Sequence, residues 1–168
     1  MSRLLTLLSA ATVTTSLGLA PAGGAEPVGS GLVSMPSLYS VSETLDRVTN
    51  AAAALDFGVA ARINHAQAAQ KVGLALRPTE VLLVGNPKGG TALIQCAQTV
   101  AIDLPVKFLS YQDAAGQVWL TYNDPAHLIS RQTASGCKGA FAKAGGAPKM
   151  IAMNALKEQQ DAQASVKI

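Results

Sequence analysis

The chain has 168 residues, 49% hydrophobic and 14% charged, with a formal net charge of +3. That balance excludes an intrinsically disordered chain, which needs low hydrophobicity and high charge, and leaves enough chain for one domain with its own core. Aromatic residues are only 4% and the basic side chains are scattered, which excludes a nucleic-acid surface of clustered Lys and Arg.

Taken in order, Arg3 precedes an apolar run over residues 4–20, and small residues follow through Pro21, Ala22, Gly23, Gly24 and Ala25. This is the pattern of a Sec-type signal peptide, with a cut expected after Ala25 and Ala22 as the alternative site. An uncleaved anchor helix is the competing reading, and the breakers Pro21, Gly23 and Gly24 weigh against it. No cysteine adjoins the cleavage region, so a lipoprotein anchor is not indicated. The expectation is an exported protein, periplasmic or secreted, without a stable membrane anchor. Loss of Arg3 leaves +2, with −2 over residues 26–130 and +4 over residues 131–168.

Residues 32–39 have strand content, and Pro36 restricts them to an edge or a broken strand. Ser40 and Glu43 form a capping box, and Val41, Leu45, Val48, Ala52 and Leu55 follow on one helical face. Residues 57–63 read as a strand, after which Asn64 caps a short helix over 65–72 that stops at Gly73. The unbroken apolar run over 80–84 reads as a strand buried on both faces. A turn through Gly85, Asn86, Pro87, Lys88, Gly89 and Gly90 leads to a helix over 91–102, with Leu93, Ile94, Ala97 and Ala101 as its apolar stripe.

Strands at 106–111 and 117–122 make a hairpin with Gly116 near its turn. Asp124 and Pro125 open a brief helix through Ser130, as cap and first residue. Residues 132–147 are rich in Gly, Ala and Lys and read as a linker. Residues 148 to about 165 read as a tail helix with Met150, Ile151, Met153 and Leu156 on one side. The predicted division is a signal peptide at 1–25, a domain at 26–131, the linker and a tail at 148–168. The predicted fold is two-layer α+β, a mixed β-sheet backed by helices on one face.

Five motifs then carry a resemblance: Ile63-Asn64-His65-Ala66, Leu76-Arg77-Pro78-Thr79, the Gly85-to-Thr91 stretch, Asp103-Leu104-Pro105, and the run from Trp119 to Pro125. In order and spacing they resemble the DUF302 family, over residues 32–130. The resemblance implies a small α+β fold that forms a homodimer, and no more about activity, because the family's function is not established. The family usually carries Asp before the histidine. Asn64 caps a helix as well as Asp does, but it supplies no carboxylate to work with His65.

The residues themselves offer a few chemical candidates. Strand, Gly85-x-x-x-x-Gly90-Thr91 and helix resemble a phosphate-binding loop without the lysine expected between the last Gly and Thr. Backbone amides of Gly89, Gly90 and Thr91 at a helix start, with Asn86 and Lys88 beside them, suit a small anion; a tight turn capped by Thr91 is the plainer reading. A nucleotide triphosphatase is excluded by the lack of a second acidic motif for magnesium. His65, just inside a helix start, is kept neutral by the dipole, which suits a base, a metal ligand or a haem ligand; a packing histidine is the plainer reading.

Other chemistry finds less support. With two histidines and no Cys or carboxylate at ligand spacing, a structural zinc site within one chain is not indicated. No Gly-x-Ser-x-Gly elbow is present, and Asp103, Asp113 and Asp124 are each explained as turn residues. Trp119 and Tyr122 lie on opposite pleat faces, and Tyr122 is the candidate pocket member. An even pair of cysteines in an oxidising compartment favours a Cys96–Cys137 disulfide, closing a loop of about forty residues and adding about 3–4 kcal/mol; two separate thiols are the alternative.

The sequence therefore points to a domain binding a small anionic or metal-containing ligand near residues 85–91, with His65 and Tyr122 close by and no nucleic acid partner. One alternative is an enzyme or redox protein using His65 as base or iron ligand. Another is a structural homodimer held by its disulfide.

Overall fold

The computed structural model describes residues 30–130, 132 and 137–158. The expected signal peptide, the lead-in at Glu26 and the tail beyond residue 158 lie outside these. Val41, Leu45, Val48 and Ala52 recur at helical spacing, and they form the buried face of α1 (Val41–Ala53), whose Ser40 cap accepts from the Glu43 amide. That face packs on a five-stranded sheet made of β1 (Leu32–Ser37), β2 (Gly58–Asn64), β3 (Thr79–Gly85), β4 (Val106–Gln112) and β5 (Val118–Asn123). The strand order is β1-β5-β4-β3-β2.

The α+β class and the two-layer arrangement hold, but the sheet is not mixed. Every neighbouring pair is antiparallel. The helical connections after β2 and β3 each return to the adjacent strand in the opposite direction. Only the α1 connection crosses the sheet, from edge strand β1 to edge strand β2, which do not touch. Pro36 lies on edge strand β1, where a missing ladder donor is tolerated.

Nor is β3 buried on both faces. Glu80, Leu82 and Val84 are buried, whereas Val81 and Leu83 are half-buried, because α1 covers one face only. The core joins Leu45, Val48 and Ala52 to Leu82, Val84, Phe108, Leu120 and Tyr122. The chain after Ser130 changes most against expectation. Between Pro125–Ser130 (α4) and the tail, the supposed linker contains α5 (Lys138–Ala144), and α6 (Ala147–Ala155) follows. Helix α6 buries Ile151, Ala152 and Ala155 in the main core, with Leu156 just beyond it. Met150 and Met153, expected on the apolar side, are about half exposed. Alanines let α6 approach α1 closely, where Ala51 and Ala52 face it, so small side chains and not the methionines mark the packed stripe. Arg47 of α1 locks this contact by donating Nε to the Ala155 carbonyl at 2.8 Å, a cation at a helix C-terminus. The tail through Leu156 is packed into the domain.

Candidate functional site

The motif over residues 85–91 is a helix start and not a loop. Helix α3 runs Pro87–Cys96, Asn86 is its N-cap, and Pro87 is its first residue. The Asn86 carboxamide oxygen accepts from the Gly89 amide at 3.1 Å, and its backbone carbonyl accepts from the Gly90 amide at 2.9 Å. Asn-Pro is the same start signal that marks Asp124-Pro125; the Gly-Gly pair hid it, because two glycines usually break a helix. The expected second helix is also divided, and a 3-10 turn at Gln98–Asp103 follows α3.

This changes what the motif can do. Pro87 has no N–H, and the amides of Gly89 and Gly90 are both bonded to Asn86. Thr91 lies in the second turn and caps nothing. The amide cradle expected for an anion is therefore occupied from within, and Lys88 is the charged group left at the helix start.

What the motif does border is a cleft of about 1210 Å³, somewhat larger than the usual small-molecule site. It opens where β3 ends and β4 begins, with Val84, Gly85 and Val106 at its base. One wall is α3 from Pro87 to Ile94, and includes Lys88, Gly89, Gly90 and Thr91; Asn86 lies at its foot. Leu128 and Ile129 of α4 and Ala140, Phe141 and Ala144 of α5 also line the cleft. Val100, Leu104 and Pro105 close the side. Part of this lining belongs to a second apolar cluster of Leu93, Val100, Cys137 and Phe141. Cys96 and Cys137 are joined, with their Cα atoms 5.7 Å apart across a separation of 41 residues, so the end of α3 is tied to the start of α5. Sequence reading missed the cleft because part of its lining, including Ala140, Phe141 and Ala144, lay in the segment taken for a linker. It also missed Lys107, which lines the cleft and donates Nζ to the carbonyls of Asp103 and Pro105 at 3.2 and 3.3 Å.

The remaining candidates are not brought together. Gly58 pairs with Gly85 at one end of β2, and Asn64 with Glu80 at the other. His65 (exposed, on α2, His65–Lys71) thus stands about 20 Å from the motif, at roughly 3.3 Å per strand residue. Strand direction separates what proximity in the motif list suggested. Tyr122 is 4% exposed and packs its ring 5.8 Å from that of Phe108; it belongs to the core, and burial, then Asp124, raises its hydroxyl pKa. Its neighbour Asn123 is the residue that reaches the cleft. Trp119 and Tyr122 do lie on opposite faces, and Trp119 donates Nε1 to Asp113 at 2.9 Å.

Beside His65 is a polar network. Nearly buried Glu80 accepts from Arg62 Nε at 2.8 Å and from Asn64 Nδ2 at 3.0 Å. Arg62 also pairs with Asp46 and donates to Ser42. Asn64 caps α2 by accepting from Gln67. Its amide therefore serves both neighbours, which a carboxylate in its place cannot do. Among the described residues, no three His, Cys, Asp or Glu side chains converge as a metal site would need.

A model of the family described as Domain of unknown function DUF302 matches residues 33–152. The chain is 43% identical over 106 residues to the Brucella suis protein named fluoride-specific ion channel FluC 1, covering 63% of this chain and 42% of that one. A Brucella abortus protein of the same name is also 43% identical, with 39% of its length covered. The chain thus spans about two fifths of these relatives. A solved structure of an uncharacterized conserved DUF302 protein from Bacillus stearothermophilus superposes with a TM-score of 0.66 at 22% identity, over 76% of this chain and 97% of that one. At that identity the likeness concerns the fold alone.

Proposed function

The chain belongs to the DUF302 family, whose function is not established, and from that premise we propose that it is a small-ligand-binding domain whose site is the cleft beside α3. The observation that carries this is that Asn86, Lys88, Gly89, Gly90 and Thr91 border one large apolar cleft. Asn86 shapes the wall, Lys88 supplies charge, and the two glycines keep the wall free of side chains. A Cβ on Gly90 would stand 3.6 Å from the Leu104 side chain, so a larger residue there narrows the cleft. Helix propensity favours Leu over Gly, and Gly90→Leu is expected to fold and to lose ligand. His65→Ala is expected to bind as the natural chain does. Native mass spectrometry of the mature protein reads both outcomes; loss of the bound mass in His65→Ala alone would favour a His65-centred redox or enzymatic role.

The same reading includes export, supported by the N-terminal pattern and by a disulfide suited to an oxidising compartment. It includes a homodimer, supported by the half-open apolar residues Val81, Leu83 and Leu109 on the sheet face away from α1, and sedimentation equilibrium tests it. A second reading rests on the Brucella proteins: the domain serves as a module beside an anion channel. Fluorine NMR of the purified chain in fluoride, with and without Lys88→Gln, tests whether the ion binds here. Among the described residues no helix is long and apolar enough to cross a membrane.

A further inference from the structure

The lining of the cleft says what class of ligand suits it. Among its described residues there is no histidine, cysteine or methionine, and Asp103 is the one acidic side chain. A metal ion has one carboxylate there and no second ligand, and a haem iron has no axial ligand. A polyphosphate would require several cations, whereas Lys88 and Lys107 are the cations among the described lining residues. The body of the cleft is hydrocarbon, from Leu93, Val100, Leu104, Ile129 and Phe141. Lys88 and Lys107 both line the cleft. Gly85 lies against the Pro105 side chain and Gly90 against that of Leu104, so the backbone that carries Lys88, between these two glycines, runs alongside the segment that leads into Lys107. At about 30 Å³ per water-sized group, the volume admits an extended chain of many methylene units.

We infer that the cleft takes a long-chain monoanionic amphiphile, of which a fatty carboxylate is the simplest member, with its chain along the apolar walls and its head at Lys88 and Lys107. This rests on the reading that the cleft is the ligand site and names the ligand's class. Each buried methylene contributes about 0.8 kcal/mol, so the chain supplies affinity and the head supplies orientation. The anionic character expected from the motif is kept, but it comes from two side chains and not from backbone amides.

The test titrates the mature full chain with three probes: a fluorescent long-chain fatty carboxylate, the alcohol of the same chain as a competitor, and inorganic phosphate. The carboxylate is expected to bind at one per chain and at least tenfold more tightly than the alcohol. In Lys88→Gln/Lys107→Gln that preference is expected to disappear while alcohol binding stays. Gly90→Leu, whose fold is checked by its circular dichroism spectrum, is expected to lose both. Equal binding of alcohol and carboxylate overturns the monoanionic head and leaves the cleft as the site. Phosphate binding without either amphiphile overturns this inference and keeps an anion site at the motif. Binding of none of the three overturns this inference and the cleft reading together.

Discussion

Asn86 donates its carboxamide Nδ2 to the backbone carbonyl of Asp56 at 2.9 Å, and Asp56 holds a left-handed φ of 60°. One side chain therefore starts α3 with its oxygen and fixes the strained corner before β2 with its nitrogen. The corner and the helix start border the same cleft, so a single carboxamide sets the distance between its floor and one wall.

Replacement of Asn86 separates these two roles. Asn86→Ala removes the cap and the bond to Asp56, and is expected to cost about 1–2 kcal/mol in urea unfolding. Asn86→Asp keeps the cap and loses only the donor. It is expected to recover more than half of the difference, and ligand affinity should follow the same order.

Reduction of the disulfide should be felt at the cleft more than in the sheet. Cys96→Ser/Cys137→Ser is expected to lower stability by about 2–5 kcal/mol. Amide hydrogen exchange is expected to rise first in α5 and around Leu93 and Val100, where the second apolar cluster sits. Strands β3, β4 and β5 should retain slow exchange, because Leu82, Phe108 and Leu120 lie in the other core.

Asn64→Asp tests the network at the opposite end. The change puts a second carboxylate where Nδ2 now donates to Glu80 at 3.0 Å, and one of the two acids must then have a raised pKa. A raised pKa means that the penalty is present at neutral pH, where the unfolded chain is ionised, and is relieved as pH falls below the native value. About 1–3 kcal/mol is expected to be lost at neutral pH, with most of it regained near pH 4. An equal loss at both pH values would contradict this sign.

Asp113 has the reverse behaviour. The Trp119 indole N–H, opposed by desolvation and aided by the amides of Gln117 and Ala115 and by the Arg77 charge, holds its carboxyl below the ordinary Asp value. Its contribution is therefore present above the unfolded carboxyl pKa and lost as pH falls through the lowered native one. Carbon NMR titration is expected to show Asp113 titrating below the ordinary Asp value, and Trp119→Phe should move it upward.

Much of the architecture was legible in the sequence, and the exceptions share a physical origin. The face of α1 could be read because Val41, Leu45, Val48 and Ala52 obey one period, and the hairpin because Gly116 supplies a φ of 85° at its turn. The stripe of α6 was read correctly at Ile151 and Leu156 and misread at Met150 and Met153, which are about half exposed, because Ala152 and Ala155 complete the packed face and carry little hydrophobic signal. The motif was found and its conformation was not: Gly89 and Gly90 argue locally for a turn, and the Asn86 cap outweighs them. The cleft needs Phe141 and Ile129 to meet Leu93 and Leu104, which is tertiary information that no local period contains.

The most direct measurement is a nitrogen-15 amide NMR map of residues 26–168 with and without a saturating long-chain fatty carboxylate. If the cleft is the site, shifts concentrate at Lys88, Gly90, Leu104, Lys107 and Phe141, and His65 and its helix stay unmoved. Shifts confined to the His65 end of the sheet, or none at saturation, would contradict it.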